Sequence, residues 1–444
     1  MYHPFAEVRG EEEDGEITRI PCAPGTPFGW RVMLGFEDCK QDQERLAEAI
    51  PGITAPWGAT LIPNHRSMML THAVFALAER SLDTLCTLWT TTFIDFIRLI
   101  DEEWEMLVGA IGDGHLPQLP EMDDVYSSIS PTFSANPDRA KELRNLGPPS
   151  QTAEGWATKA WPRFELLIAI TTGTFGRVLP KARAFIPFIS RAQCLKHQKP
   201  SQVRAYIGPD VPVRNVVYAS AEGGIGIVYN DRLPNVVQVV TDDYIEFLEI
   251  TPADEDGELK RMWEVDVGKI YEPVITMRNG LWRYRMADAV QVVGFSPIDG
   301  VPLIEYKERR HQLLRVGEVL VSQADILAFV DGVEGINESE FVTWCDDRGP
   351  SPTLGFFLEK APERLSLALE TRETILSNIH KQNENLPTAS QQCIWERPTI
   401  RLLAPGTFRE FRQWKGKLSG MGSAQIKVPT ILADPKGREF FCPG

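Results

Sequence analysis

Tyr218-Ala219-Ser220-Ala221-Glu222-Gly223-Gly224 sets an aromatic ring, a hydroxyl and a carboxylate within five positions at the end of an apolar strand. The small residues around them let a ligand come close to the backbone. Such a set suits a nucleotide: the ring stacks on a base, and the carboxylate holds Mg²⁺ on phosphates. A strand end with a surface Glu fits the same residues. A second segment, Gly280-Leu281-Trp282-Arg283-Tyr284-Arg285-Met286-Ala287-Asp288, closes on an Asp. Its two acceptor oxygens match the two hydroxyls of a ribose. The plain alternative is an exposed Arg–Asp pair, which contributes little. A third candidate is Lys427-Val428-Pro429. Lysine is a compact positive charge on a long stem, so it can reach a carboxylate or phosphate during transfer. Taken alone, Lys427 reads as a solvated side chain.

Other chemistries find less support. Gly224-Ile225-Gly226 follows a strand but lacks the rest of a dinucleotide fingerprint. The seven His are spread along the chain without metal-ligand spacing. The seven Cys form no C-x-x-C pair, which suits free thiols in a reducing compartment.

The elements that must position these residues follow from periodicity. Residues 1–65, with their EEEDGE run and Gly- and Pro-rich stretches, read as an irregular N-terminal remnant. Met69, Ala73, Ala76 and Leu77, then Leu85, Trp89, Phe93, Phe96, Ile97 and Ile100, recur at helical spacing. They predict two helices joined near residues 80–83, with their apolar stripes facing a core. FELLIAITTG predicts a buried strand ending at residues 171–173. RNVVYASAEGGIGIVYN predicts a second strand-like run, and NVVQVVTDDYIEFLEI a hairpin turning near Asp242-Asp243. Strand patterns continue to about residue 320. Beyond it, helix and strand alternate over the last 120 or so residues, as in a small α+β domain. The expected organisation is a core domain over 66–320 and a small C-terminal domain over 321–444, in a mixed α/β fold.

Composition bounds the partners. The chain is 43% hydrophobic and 24% charged over 444 residues, which are globular proportions with room for two or three domains. Asp and Glu number 61 against 46 Lys and Arg, a net charge of -15. That sign opposes binding to nucleic-acid phosphates and to anionic membranes. No apolar run is long enough to span a bilayer, and the first residues lack the apolar core of a secretory signal. A cytoplasmic protein is expected.

The order and spacing of the motifs resemble the Gretchen Hagen three family, the auxin-responsive acyl acid amido synthetases. Its Tyr-Ala-Ser-Ser-Glu motif corresponds to Tyr218–Glu222, with Ala221 for the second Ser. Its Tyr-Arg-x-Gly-Asp motif corresponds to Tyr284–Asp288, with Ala287 for Gly. Glu308-Arg309-Arg310-His311, Gly406-Thr407-Phe408 and Gln425-Ile426-Lys427-Val428-Pro429 match further family elements, so the resemblance runs over roughly residues 64–444. It implies the fold of acyl-adenylate-forming enzymes, with a small mobile C-terminal domain. It also implies their chemistry: a small carboxylic acid attacks ATP to give acyl-AMP, and an amine such as an amino acid displaces AMP. By motif, Tyr218 would contact adenine and Ser220 would also bind the nucleotide. Glu222 would coordinate Mg²⁺ and serve catalysis, Asp288 would bind ribose, Arg309 would lie near the nucleotide, and Lys427 would approach the reacting carboxylate and α-phosphate. The sequence also departs from the family. The Ser-Ser-Gly-Thr-Ser-like phosphate loop has no counterpart upstream of Arg66; the nearest candidate, Pro24-Gly25-Thr26-Pro27, carries prolines where N–H donors are needed. A family lysine becomes Val319, and an arginine after the last motif becomes Thr430. These departures suggest a truncated core domain. They keep a second reading open, a catalytically impaired relative with a binding or regulatory role.

Overall fold

The structure is a computed structural model. It describes residues 6–11, 17–22, 35–36, 41–152, 154–170, 202–215, 217–220, 222–230, 233–240, 243–251, 256–278, 280–310, 312–317, 319–330, 333, 340–359, 365–383, 398–419 and 426–442. The chain forms two compact units. The first comprises Met1–Leu167, Gln202–Pro212 and Gln413–Ile426; the second comprises Ile168–Ser201, Val213–Arg412 and Lys427–Gly444.

The first unit is mainly helical. Helix α1 (His65–Ala78) starts at Asn64, whose side chain accepts the Ser67 amide. Its last carbonyls lack helical partners and are met from elsewhere. Trp161 Nε1 donates to the Ala76 carbonyl at 2.7 Å, and Arg139 Nε donates to that of Leu77 at 2.8 Å. Arg139 is itself buried, and its other guanidinium nitrogens reach Ala160 and Glu142. The two-helix reading of 66–112 needs one correction. Leu85 and Trp89 lie on a strand, β1 (Thr84–Trp89), and the next helix, α2 (Thr90–Glu102), begins only afterwards. The run Thr84-Leu85-Cys86-Thr87-Leu88-Trp89 is rich in β-branched and aromatic residues, and these favour extended backbone over helix. Helix α3 (Trp104–Asp113) stops at Gly114, whose φ is 71°. Met69, Phe75 and Phe93 are buried with Trp104, Trp156 and Trp161 in the core of this unit.

The second unit is organised by a nine-stranded antiparallel sheet. In chain order its strands are β2 (Val217–Ala219), β3 (Gly224–Asn230), β4 (Leu233–Val239), β5 (Tyr244–Ile250), β6 (Asp256–Arg261), β7 (Ile270–Thr276), β8 (Tyr284–Arg285), β9 (Asp288–Phe295) and β10 (Pro302–Arg309). They lie in the order β6-β5-β7-β9-β10-β4-β3-β2, with β8 pairing to β7. Val237, Val239, Phe247, Tyr271, Val290, Val292 and Ile304 form its core.

Two expectations change here. The single run read from Arg214 to Asn230 contains a hairpin of β2 and β3, broken at residues 220–223. Gly224 and Gly226 therefore open an antiparallel strand and not a dinucleotide loop. An added Cβ on Gly226 would meet the Gln238 carbonyl oxygen at 2.2 Å, so close strand approach accounts for that glycine. Moreover, β4 and β5 are not hairpin partners: β4 pairs with β3 and β10, and β5 with β6 and β7. Alternation tells which face of a strand is buried, and it leaves the neighbour undetermined.

The remainder of the unit has its own core, from Leu314 and Val316 through Phe341 and Phe356 to Ile379. A hairpin of β11 (Leu313–Val316) and β12 (Val319–Ser322) turns at Gly317. It leads into α4 (Gln323–Phe329), capped reciprocally by Ser322 and Asp325. Strands β13 (Phe341–Asp346) and β14 (Thr353–Glu359) pair antiparallel. Helix α5 (Leu365–Asn383) lies between β14 and its parallel partner β15 (Thr399–Leu403) in the sequence. The helix-and-strand alternation read from the sequence beyond residue 320 is present.

Candidate functional site

The turn after β2 and the paired ends of β9 and β10 carry most of the chemical residues. Strand β2 ends in Tyr218-Ala219, and the Ser220 amide donates to the Gly223 carbonyl at 2.9 Å, closing a tight turn. The Ser220 hydroxyl accepts the amides of Glu222 and Gly223 at 3.3 and 3.4 Å. A Cβ on Gly223 would strike the end of the Met277 side chain at 2.2 Å, so the turn is closely packed. Across the sheet, Asp288 opens β9 opposite Arg309, the last residue of β10.

Tyr218, Asp288 and Arg309 meet directly. The Tyr218 hydroxyl donates to Asp288 Oδ2 at 2.7 Å, and Arg309 Nη1 lies 3.4 Å from Oδ1. Asp288 is only 7% exposed. Burial pushes its carboxyl above the ordinary range, while Tyr218, Arg309 and Lys427 each pull it back. Burial also raises the Tyr218 phenol well above its usual value, and the Asp288 charge adds to that. Tyr306 packs edge-on against Tyr218, with ring centroids 6.2 Å apart. In a regular strand Tyr306 and Arg309, three apart, would point to opposite faces. A β-bulge breaks the β9–β10 register here, pairing Ala289 with Glu308 and Val290 with Tyr306, and this lets both serve one cluster.

Glu222 forms the neighbouring group. Its Oε1 accepts the Tyr284 hydroxyl at 2.7 Å. Hydrogen bonds from Ser220 and Tyr284 hold its carboxyl below the usual range, and Arg309 lowers it further. Glu222 is therefore an ionised, partly exposed carboxylate. Among the described residues, no three His, Cys, Asp or Glu side chains gather as a metal cage. Mg²⁺ is often held by one or two carboxylates with substrate phosphates and water, and that donor set fits Glu222.

Lys427 belongs to the same unit. Downstream of it, the Thr343 amide donates to the Thr430 carbonyl and the Leu432 amide to that of Thr343, docking the segment on β13. The Lys427 residue is exposed to solvent. Protein packed around its ammonium lowers its pKa, while Asp288 raises it and Arg309 lowers it further. The fields of Lys427 and Asp288 thus act on each other.

The sequence-predicted Tyr218, Ser220, Glu222, Asp288, Arg309 and Lys427 all belong to this neighbourhood. Tyr284 and Tyr306 also contribute, and no role had been read for either. Tyr284 sits inside a quoted motif; the place of Tyr306 depends on the bulge, which left no signal. Gln425, Ala221 and His311 lie outside the described residues. No helix among the described residues is long and apolar enough to cross a membrane.

Known proteins resemble this chain over most of its length. Residues 34–190 match the GH3 (Gretchen Hagen three) family N-terminal domain, and residues 236–309 match the GH3 family central domain. An indole-3-acetic acid-amido synthetase, GH3.4 of Arabidopsis thaliana, is 24% identical over 89% of this chain and 65% of its own length. A 4-substituted benzoates-glutamate ligase of the same plant, GH3.12, is 21% identical over 87% of this chain and 67% of its own. The chain therefore spans about two thirds of the length of these relatives. Among solved structures, a GH3.15 acyl acid amido synthetase superposes with a TM-score of 0.70 at 18% identity, covering 98% of this chain and 70% of that one. The mixed α/β fold is shared.

Proposed function

The chain belongs to the GH3 family, and from that premise we propose that it uses ATP to join a small carboxylic acid to an amine, through an acyl-adenylate. The observation that carries this reading is the cluster of Tyr218, Asp288 and Arg309 beside Glu222, with Lys427 coupled electrostatically to Asp288. The names of its relatives, an auxin amido synthetase and a benzoate–glutamate ligase, support the substrate classes: a small organic acid and an amino acid.

In this reading Asp288 accepts hydrogen bonds from the ribose hydroxyls, and the Tyr218 ring lies against the base. Glu222 would hold Mg²⁺, which when bound neutralises phosphate charge. Adenylation gathers negative charge on the oxygens around the α-phosphorus, and a cation placed there stabilises the transition state. Lys427 is the proposed source of that charge. By analogy with small mobile C-terminal domains, residues 321–444 are proposed to carry Lys427 toward and away from the nucleotide.

The test is pyrophosphate release by the full 444-residue chain. It receives ATP, Mg²⁺ and a panel of aromatic and aliphatic carboxylic acids, with and without amino acids. Acid-dependent release that Lys427→Ala abolishes, with an unchanged melting temperature, is the expected result. A folded chain that binds ATP but releases no pyrophosphate with any acid favours a binding role.

A further inference from the structure

Asp288 and Arg309 face each other at the last rung of the β9–β10 ladder, and a buried carboxylate lies just behind them. Glu272, on β7, is 1% exposed. Its Oε1 accepts the Ala287 amide at 2.9 Å and Arg285 Nε at 3.2 Å. Its Oε2 accepts Arg285 Nη2 at 2.5 Å and Arg310 Nη1 at 2.7 Å. Arg310 is buried as well, and its backbone amide donates to the Ala287 carbonyl at 2.7 Å. Asp256 closes the network by accepting from both arginines. Ala287 is thus held from both sides. Glu272 takes its N–H, and Arg310, fixed by Glu272, reaches its carbonyl.

This grip falls on a strained residue. Ala287 has a φ of 55°, in the left-handed region that favours glycine. The residue that follows it is Asp288, and the residue before Arg310 is Arg309. Burying charges is costly unless their partners satisfy them, and here the buried pair Glu272 and Arg310 both hold one backbone turn.

We infer that Glu272, with Arg310, is a positioning residue that clamps the Ala287 turn and thereby aims the Asp288 carboxylate at the ribose of a nucleotide. The inference rests on the proposed nucleotide site, but the clamp itself is a property of the chain. Without it, Ala287 drifts toward negative φ and the Asp288 side chain leaves the Tyr218 hydroxyl. A glycine at 287 adopts the same turn without strain and depends less on the clamp.

The experiment compares the full chain with Glu272→Gln, Ala287→Gly and the double variant. AMP is titrated calorimetrically, and amide hydrogen exchange is followed at residues 286–288. Glu272→Gln keeps the shape and removes the charge. It is expected to weaken AMP at least tenfold and to speed exchange of the Ala287 amide at least tenfold. Ala287→Gly in the Glu272→Gln background is expected to restore AMP affinity to within about threefold of Ala287→Gly alone, since left-handed backbone carries little penalty for glycine. A general loss of packing would not be rescued in this way. Unchanged AMP affinity in Glu272→Gln, or a double variant as weak as Glu272→Gln, overturns the inference. If the unmodified chain does not bind AMP, the nucleotide reading fails instead. Exchange at Ala287 then decides alone: acceleration upholds the clamp, and an unchanged rate rejects it.

Discussion

Replacing Tyr218 by Phe removes a single oxygen and leaves the ring packed against Tyr306. The lost hydroxyl donates to Asp288 Oδ2 at 2.7 Å, whereas Arg309 stands off at 3.4 Å. A hydrogen bond to a charged group contributes about 1.5–3 kcal/mol net. Asp288 is 7% exposed, so little water is at hand to replace the missing donor. The expected loss is therefore in that range. For a unit of this size it corresponds to a fall in melting temperature of roughly 3–12 °C. The pH dependence carries more information. Burial holds the Asp288 carboxyl above its unfolded value, so the folded state binds the proton more tightly. Stability from such a group is full below the unfolded pKa and is lost as pH rises through the folded pKa. The Tyr218 bond draws that folded pKa down, and Tyr218→Phe lets it rise. The variant's deficit against the parent should then be smallest at acid pH, where Asp288 is protonated in both, and grow toward neutral pH. Thermal unfolding of the parent, Tyr218→Phe, Asp288→Asn and the double variant, from about pH 4 to pH 8, measures it. A deficit independent of pH, or one undiminished when residue 288 is Asn, would show that the hydroxyl does not act through this carboxylate.

Two further substitutions probe the framework. Ala287→Gly relieves a left-handed alanine at a φ of 55° while adding unfolded-state freedom. The net gain should be about 0.5–1 kcal/mol, read as a higher melting temperature. A Cβ built on Gly355 would lie 1.5 Å from Trp344 Nε1, and Trp344 is buried against Phe357. Gly355→Ala should therefore cost at least about 3 kcal/mol, the upper end of overpacking, with a shifted tryptophan emission; a parent-like melt would refute that packing.

Which residues the sequence could reveal follows from the kind of signal each one leaves. The polar, exposed strand Asp256–Arg261 left no apolar signal, whereas apolar runs such as Tyr244–Ile250, Ile270–Thr276 and Pro302–Arg309 were legible as strands. Their partners were not, because β4 and β5 satisfy the same alternation whether or not they touch. Thr84–Trp89 misled in another way: Leu85 and Trp89 are four apart, a helical spacing, yet Thr84, Thr87 and Trp89 favour extended backbone. At the site, Tyr218 and Asp288 were legible because they sit near the ends of strands, and Glu222 because it lies in the small-residue turn that follows Tyr218.

The partners of those residues are set by register, and register is a property of two strands at once. Tyr306 reaches Tyr218 because a bulge shifts β10 by one residue, and no composition of β10 alone announces a bulge. Glu272 is the extreme case. A carboxylate is ordinarily exposed, yet Glu272 lies in a strand buried from Tyr271 to Ile275. Its burial makes sense only once Arg285 from β8 and Arg310 from beyond β10 arrive beside it. Ala287, where the resembled Tyr-Arg-x-Gly-Asp motif has glycine, is the one trace left in the sequence. That position needs a left-handed backbone, and a residue with a Cβ can hold it only if its neighbours enforce it. In the inference drawn above, Glu272 is such a neighbour, because its carboxylate takes the Ala287 amide at 2.9 Å.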